Sequence, residues 1–263
     1  MKTRFRTLLP ILMSLASMLP IGGCGGSKTV IDRSQRDQAA VYNMQLATDY
    51  FRQGNLPLAK EKIERALEQD SRNAQAHMVA GLLYQRLGDN DKADSHFDRA
   101  LALEPRNSEI RNNYAQYLCS RGKIDRGEKM FLAAAKDPLY KTPEAAYMNA
   151  GLCARSGGDF KDAEKHFRSA LEIKQNFPSA LLAMADLELH NDRPLQARAF
   201  LERYFSAAPT NAAALLLGVR IERSLGNQSQ ADDYARRLRD DYPNSDENRA
   251  LRGAASQAPQ SVR

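Results

Sequence analysis

The chain has 263 residues, 43% hydrophobic and 27% charged, with a formal net charge of +6 and no tryptophan. Three bases (Lys2, Arg4 and Arg6) sit in an acid-free N-terminal segment, and without them 35 basic residues face 32 acidic ones. Lys and Arg otherwise alternate with Asp and Glu and form no tract, which argues against nucleic-acid binding and describes solvated helix faces.

The first predicted element is an address. Lys2, Arg4 and Arg6 precede an apolar run over residues 8–21, interrupted by Pro10 and Pro20. So short a run reads as a signal peptide over residues 1–23, not as a stable transmembrane helix. Ile21, Gly22, Gly23 and Cys24 resemble the bacterial lipobox, whose cysteine is acylated and becomes the first residue. Ordinary cleavage beside an incidental cysteine is the other reading. Acylated Cys24 would hold the protein on a membrane facing the periplasm. Gly25 stands where an aspartate would resemble the inner-membrane retention signal, so the outer membrane is expected. Residues 24–39 then form a lipidated tether, and the covalent lipid is the one prosthetic group expected.

Small residues follow at Ala47, Gly81, Ala115, Gly151 and Ala185, each with a second small residue twelve positions on: Ala59, Ala93, Gly127, Ala163 and Ala197. Val219 and Ala231 make a looser sixth pair. The step of 34 residues (36 once) is the period of helix–turn–helix repeats. A unit this small cannot bury its own apolar face, so the units must stack. They run 40–73, 74–107, 108–143, 144–177, 178–211 and 212–245. In the second, Gly81, Tyr84, Gly88, Ala93, Phe97, Ala100 and Pro105 stand at signature positions of the tetratricopeptide repeat. The expected fold is therefore all-α, a right-handed superhelical solenoid of six tetratricopeptide repeats. Gly81 and Ala93 let two helix axes approach, Gly88 turns the chain, and Pro105 stops the second helix. Gly54, Gly122, Gly158 and Gly226 repeat the turn position.

Two units depart from the pattern. The third has Gly127 in place of alanine, at about 1 kcal/mol of helix propensity, and residues 137–143 lengthen it by two. This predicts an altered step after unit three and two blocks of three units. The sixth has Val219 and Ala235 where a small and an aromatic residue are usual, as a terminal unit can. Residues 246–263 read as a tail, largely disordered beyond Arg252.

No catalytic constellation emerges: the chain shows no phosphate loop, nucleophile elbow or clustered carboxylate pair. None of His77, His96, His166 and His190 pairs with another at ligand spacing on one helix, so no metal site is expected. Neither an enzyme nor a small-molecule substrate is expected. Cys119 and Cys153 fall on the first helices of adjacent units, which pack side by side in this architecture. In the periplasm they would form a bridge closing about 35 residues, worth roughly 3–4 kcal/mol by the chain-entropy model. Two buried free cysteines is the alternative.

In tetratricopeptide repeats the inner wall is lined by positions 2, 5, 9, 12 and 13 of each first helix. Unit one places Val41, Met44, Thr48, Phe51 and Arg52 there; unit two places Gln75, Met78, Leu82, Gln85 and Arg86. Met44, Phe51, Met78 and Leu82 are expected as a solvent-facing apolar strip that adapts to a partner. Packing of these side chains against the tether or neighbouring helices is the other reading. Asn112, Asn113 and Gln116 of unit three suit the backbone of an extended peptide. The lysine and asparagines of a carboxylate clamp are absent at Met44, Thr48 and Val79.

Asn112, Asn113, Tyr114, Leu118 and Cys119, the linker residues Asp137 to Tyr140, and Asn149 to Cys153 carry a more specific likeness, joined by Phe177, Pro178, residues 215–220, Tyr242 and Pro243. On these residues the chain resembles the PilF/PilW-type outer-membrane lipoproteins of type IV pilus biogenesis, over about residues 38–245. Ala115 departs from the family's usual glycine and is still small. The resemblance implies a pilotin, which binds secretin subunits and supports their outer-membrane localisation and multimerisation; some relatives are described as stabilising the fibre. It also implies a disulfide between Cys119 and Cys153, as in part of the family, and the apolar strip of the first units as the partner surface.

Overall fold

The computed structural model of the protein describes residues 33–256. The signal peptide and Cys24 lie outside the described residues, as do residues 257–263. Twelve of the helices form six antiparallel pairs. They are α1 (Arg33–Arg52) with α2 (Leu56–Gln69), α3 (Ala74–Leu87) with α4 (Asn90–Leu103), and α5 (Ser108–Ser120) with α6 (Ile124–Ala135). Then come α7 (Pro143–Ser156) with α8 (Phe160–Ile173), α9 (Pro178–His190) with α10 (Pro194–Ala207), and α11 (Ala212–Ser224) with α12 (Gln228–Asp241). A last helix, α13 (Asp246–Ser256), packs on α11 and α12.

The helix boundaries follow from side chains. Asn55, Asn73, Asp89, Asn107, Asp159, Asn211 and Asn227 each accept a hydrogen bond from an amide of the first turn that has no partner within the helix. The tight turn inside each pair needs a left-handed residue. Five units supply glycine, and unit five supplies Asp192 at φ 55°. Small residues allow the helices of a pair to approach, and in units two, four and six a glycine leaves the room. A Cβ on Gly81 would sit 2.9 Å from the Phe97 ring, and one on Gly151 would sit 2.4 Å from Phe167. In unit six this contact moves back by one residue on both helices: Gly218 takes the Tyr234 ring, with 2.8 Å to a built Cβ. That shift accounts for the irregular Val219 and Ala235, both of which are buried.

The core divides at the middle. One cluster runs through units one to three, from Ala47 to Leu118, centred on Phe97 stacked against Tyr114. Another runs through units four to six, from Met148 to Ile221. Smaller clusters around Phe131 and Ala134 bridge them.

Two boundaries differ from expectation. Residues 33–39, read as tether, are the first turns of α1. The segment read as a tail, 246–263, contains α13, which runs past Arg252 to Ser256 and buries Leu251 and Asn248 against the end of unit six. Ser245 caps it through its hydroxyl, and the Asn248 side chain donates to the Pro243 carbonyl at 2.9 Å. No helix among the described residues is long and apolar enough to cross a membrane.

Candidate functional site

First helices pack on first helices: α1 on α3, α3 on α5, α5 on α7, and α9 on α11. Successive second helices make at most marginal contact, so they splay outward. The first helices therefore form the inner, concave wall.

At its N-terminal end this wall is more closed than the repeat positions suggest. Met78 is 6% exposed, and Asn113 donates its amide to the Met78 sulfur at 3.3 Å. Met44, Phe51 and Leu82 are half-buried against the core of units one to three. The freely exposed strip is thus corrected to a partly filled wall, because the neighbouring first helices cover much of each side chain. Val41 is exposed; Thr48 and Gln85 are half-buried, and the Thr48 hydroxyl donates to the Met44 carbonyl at 2.9 Å. Asn112 accepts from Asn149 across the unit three–four boundary at 3.3 Å, and Gln116 is exposed. Asn112 and Asn113 also line a polar cleft of about 640 Å³ beneath the inserted linker. The linker is pinned by Asp137, whose carboxylate accepts from the Ser108 hydroxyl at 2.6 Å and from the Leu139 amide at 2.9 Å. Those bonds, the Ser108 hydroxyl first, hold its carboxyl below the usual carboxylate range.

The C-terminal end holds an apolar hollow in which Leu152 is exposed, Leu182 and Leu216 are half-buried, and Met148, Ala183 and Leu217 are as covered as Met78. Met148, Leu152, Leu182, Ala183, Leu216 and Leu217 line a hollow of about 450 Å³ across α7, α9 and α11. Arg155, Asp186 and Arg220 run beside it: Asp186 receives Arg155 at 3.1 Å and Arg220 at 3.5 Å. Glu247 of α13 also lines the hollow. The inner-wall residues expected from the sequence lie in units one to three, short of this hollow. The signal was present, because positions 5 and 9 of units four to six include Met148, Leu152, Leu182 and Leu216.

A disulfide joins Cys119 of α5 to Cys153 of α7, with the Cα atoms 5.5 Å apart. Gly127 of α6 faces it, and a Cβ there would lie 2.3 Å from the Cys119 sulfur. The histidines behave differently from their sequence spacing. His77 and His96, on facing helices, place their Nδ1 atoms 2.9 Å apart, and His96 stacks on Tyr84. Burial lowers both pKa values from the usual histidine value. His166 is buried with Nε2 2.8 Å from Glu128. Among the described residues no group of three or more His, Cys, Asp or Glu is placed to hold a metal ion. Buried glutamates replace the tyrosine of Tyr84's repeat position in the last two units. Glu188 pairs with Arg168 and Arg193, and Glu222 with Arg198. Burial pushes the Glu188 carboxyl upward despite its arginines.

Tetratricopeptide-repeat sequence profiles match residues 44–93 and 115–180, 96–129, 154–218 and 212–245. The chain is 29% identical to the type IV pilus assembly protein PilF of Pseudomonas aeruginosa over 242 residues, covering 90% of this chain and 96% of PilF. The crystal structure of PilW, a widely conserved type IV pilus biogenesis factor, has 33% identity and a TM-score of 0.73, covering 81% of this chain and 98% of PilW. A P. aeruginosa PilF structure superposes with a TM-score of 0.71 at 29% identity, covering 83% of this chain and 99% of that one. Agreement extends along nearly the whole of both relatives, beyond what a shared repeat would require. The chain belongs to the PilF/PilW-type family of tetratricopeptide-repeat proteins of type IV pilus biogenesis.

Proposed function

We propose that the chain is an outer-membrane lipoprotein that binds secretin subunits of the type IV pilus through its concave wall and promotes their localisation and multimerisation. The observation that carries this reading is the collinear match to PilF across 90% of the chain. Acylated Cys24 supplies the membrane address on the periplasmic face, and the solenoid supplies reach. Secretin contact falls on the first units, where Val41, Met44, Thr48, Phe51, Leu82 and Gln85 present mixed apolar and polar surface, continued by Asn112, Asn113 and Gln116. The role is binding, without catalysis: the wall offers anchors and amides, and each aromatic or aliphatic anchor newly buried by a partner is worth about 1.5–3 kcal/mol.

The test is a deletion strain whose outer-membrane fractions are run unboiled and probed for the secretin multimer. Wild type restores the multimer, Cys24→Ser mislocalises it, and Phe51→Glu lowers it while the purified variant keeps its helical content. Met78→Glu is unsuitable because Met78 is buried. Normal multimers with missing pili would replace this reading with fibre stabilisation. Normal multimers and normal pili would leave an envelope scaffold with another client.

A further inference from the structure

The concave wall changes chemistry at its midpoint. Through units one to three it carries Gln75, Gln85, Asn112, Asn113 and Gln116; the equivalent positions of units four to six hold one amide, Asn149, which is already bonded to Asn112. An extended peptide laid on the later wall would bring many of its backbone N–H and C=O groups to leucine and methionine, with polar partners (Ser179, Arg155, Asp186, Arg220 and Glu247) at the sides of the hollow. Unpaired backbone groups are costly once water is excluded. A helix arrives with its backbone bonds already made. The spacing agrees: α9 packs on α11, packed helices lie about 8–10 Å apart, and two turns of a helix span about 10.8 Å; α7 and α9 make less contact and stand further apart. A ligand helix crossing α7, α9 and α11 can therefore set one apolar side chain at every seventh position against Leu152, Leu182 and Leu216 in turn. Leu152 is already 37% exposed, and Leu182 and Leu216 are half-buried.

Charge fixes the ligand's flank. Arg155 and Arg220 share the single carboxylate of Asp186, so this edge carries two guanidinium groups for one acid, and Arg220 is 58% exposed. Glu247 puts a second acid in the lining, contributed by α13. The guanidinium edge therefore favours an acid, and Glu247 disfavours one beside α13.

We propose that the hollow across α7, α9 and α11 binds an amphipathic helix of a partner protein, aliphatic toward Leu152, Leu182 and Leu216 and acidic toward Arg155 and Arg220. This is a second docking surface beyond the one assigned to secretin. It rests on the reading of the inner wall as a partner-binding surface.

Fluorescence anisotropy on the full-length chain in detergent tests it with three labelled peptides of about eighteen residues, long enough to cross three helices. One is a leucine-faced helix with a glutamate flank, one the same helix with a lysine flank, and one the acidic sequence broken by central prolines. The acidic helix is expected to bind at least about tenfold more tightly than either control, a difference of about 1.4 kcal/mol. Leu182→Glu should abolish that binding, Arg220→Glu should reverse the charge preference, and Phe51→Glu should change neither. Equal binding of the proline-broken or lysine-flanked peptide would overturn the proposal, as would loss of binding in Phe51→Glu alone. A concentration-dependent dimer dissolved by Leu182→Glu would assign the hollow to a second copy instead. Because secretin multimers are scored separately, failure here leaves the pilotin reading standing, and the converse also holds.

Discussion

At the scale of single residues, Gly127 shows how a local cost is offset by a neighbour. A glycine inside a helix loses about 1 kcal/mol relative to alanine, yet here alanine would collide with the Cys119 sulfur at 2.3 Å and approach the Ala115 carbonyl at 3.0 Å. Gly127→Ala should therefore lower the melting temperature and release titratable thiols. In a Cys119→Ala background its penalty should shrink to what the Ala115 contact imposes; an equal penalty in both backgrounds would separate Gly127 from the disulfide. The sequence marked Gly127 as a departure but gave no reason, because its partner lies on another helix. The histidines were hidden in the same way, since spacing along one helix cannot reveal His77 meeting His96 across two. His77 Nε2 donates to the Ser71 carbonyl at 3.2 Å, so its Nδ1 accepts and His96 Nδ1 donates. Arg99 and Lys92 oppose protonation of the pair, while Asp70 and Glu64 favour it more weakly than burial disfavours it. Both folded pKa values lie below the usual 6.5, so the unfolded chain binds more protons just below that pH. Stability should fall as pH drops through 6.5 toward the folded values, by at most about 1.4 kcal/mol per pH unit for each histidine. Melting curves from about pH 7.5 to 5.5 should flatten in His96→Gln relative to wild type. The opposite contribution of Glu188 is common to both proteins and cancels in the comparison.

At the scale of elements, the six pairs were legible because each repeats the same small, turn and aromatic positions, so one misread residue is corrected by five others. α13 has no such support. Its segment, rich in Gly, Ser, Gln and Pro with few apolar groups, reads as a tail, and its packing depends on two side chains, Asn248 and Leu251, three residues apart on one face. The helix covers Leu215, Val219 and Leu238, which would otherwise end the solenoid as an exposed apolar surface. Leu251→Ala should cost about 2–3 kcal/mol, the lower part of the range for buried leucines. Hydrogen exchange should show that loss in α11 to α13 while units one to three keep their protection. Uniform loss along the chain would mean that α13 supports the whole stack. The inner wall was also read unevenly. Position numbering located the wall, but exposure depends on how far successive first helices close on one another. Met78 and its unit-four equivalent Met148 are both covered, whereas Leu152 is exposed and its unit-two equivalent Leu82 is half-buried.

At the scale of the whole molecule, the two main clusters meet through small ones, and the inserted linker falls at that meeting. A solenoid is a chain of nearest-neighbour interfaces, so its cooperativity is limited by the weakest of them. Here the disulfide from α5 to α7 spans the interface directly. Its two cysteines are 34 positions apart, and the chain-entropy model gives such a bridge roughly 3–4 kcal/mol. The consequence extends beyond stability, because Phe51 lies on one side of the junction and the Leu182 hollow on the other. Their relative placement, and so the spacing of two partner contacts, is set at this interface. Cys119→Ser with Cys153→Ser should lower the denaturant midpoint. It should also turn one unfolding transition into two of smaller slope, as each block comes to expose its own surface separately. Circular dichroism in urea, with and without the bridge, measures both effects. A lower midpoint with an unchanged single slope would mean that the clusters around Phe131 and Ala134 couple the blocks without the bridge. An unchanged midpoint would mean that the sulfur–sulfur bond adds nothing to a junction already held by packing.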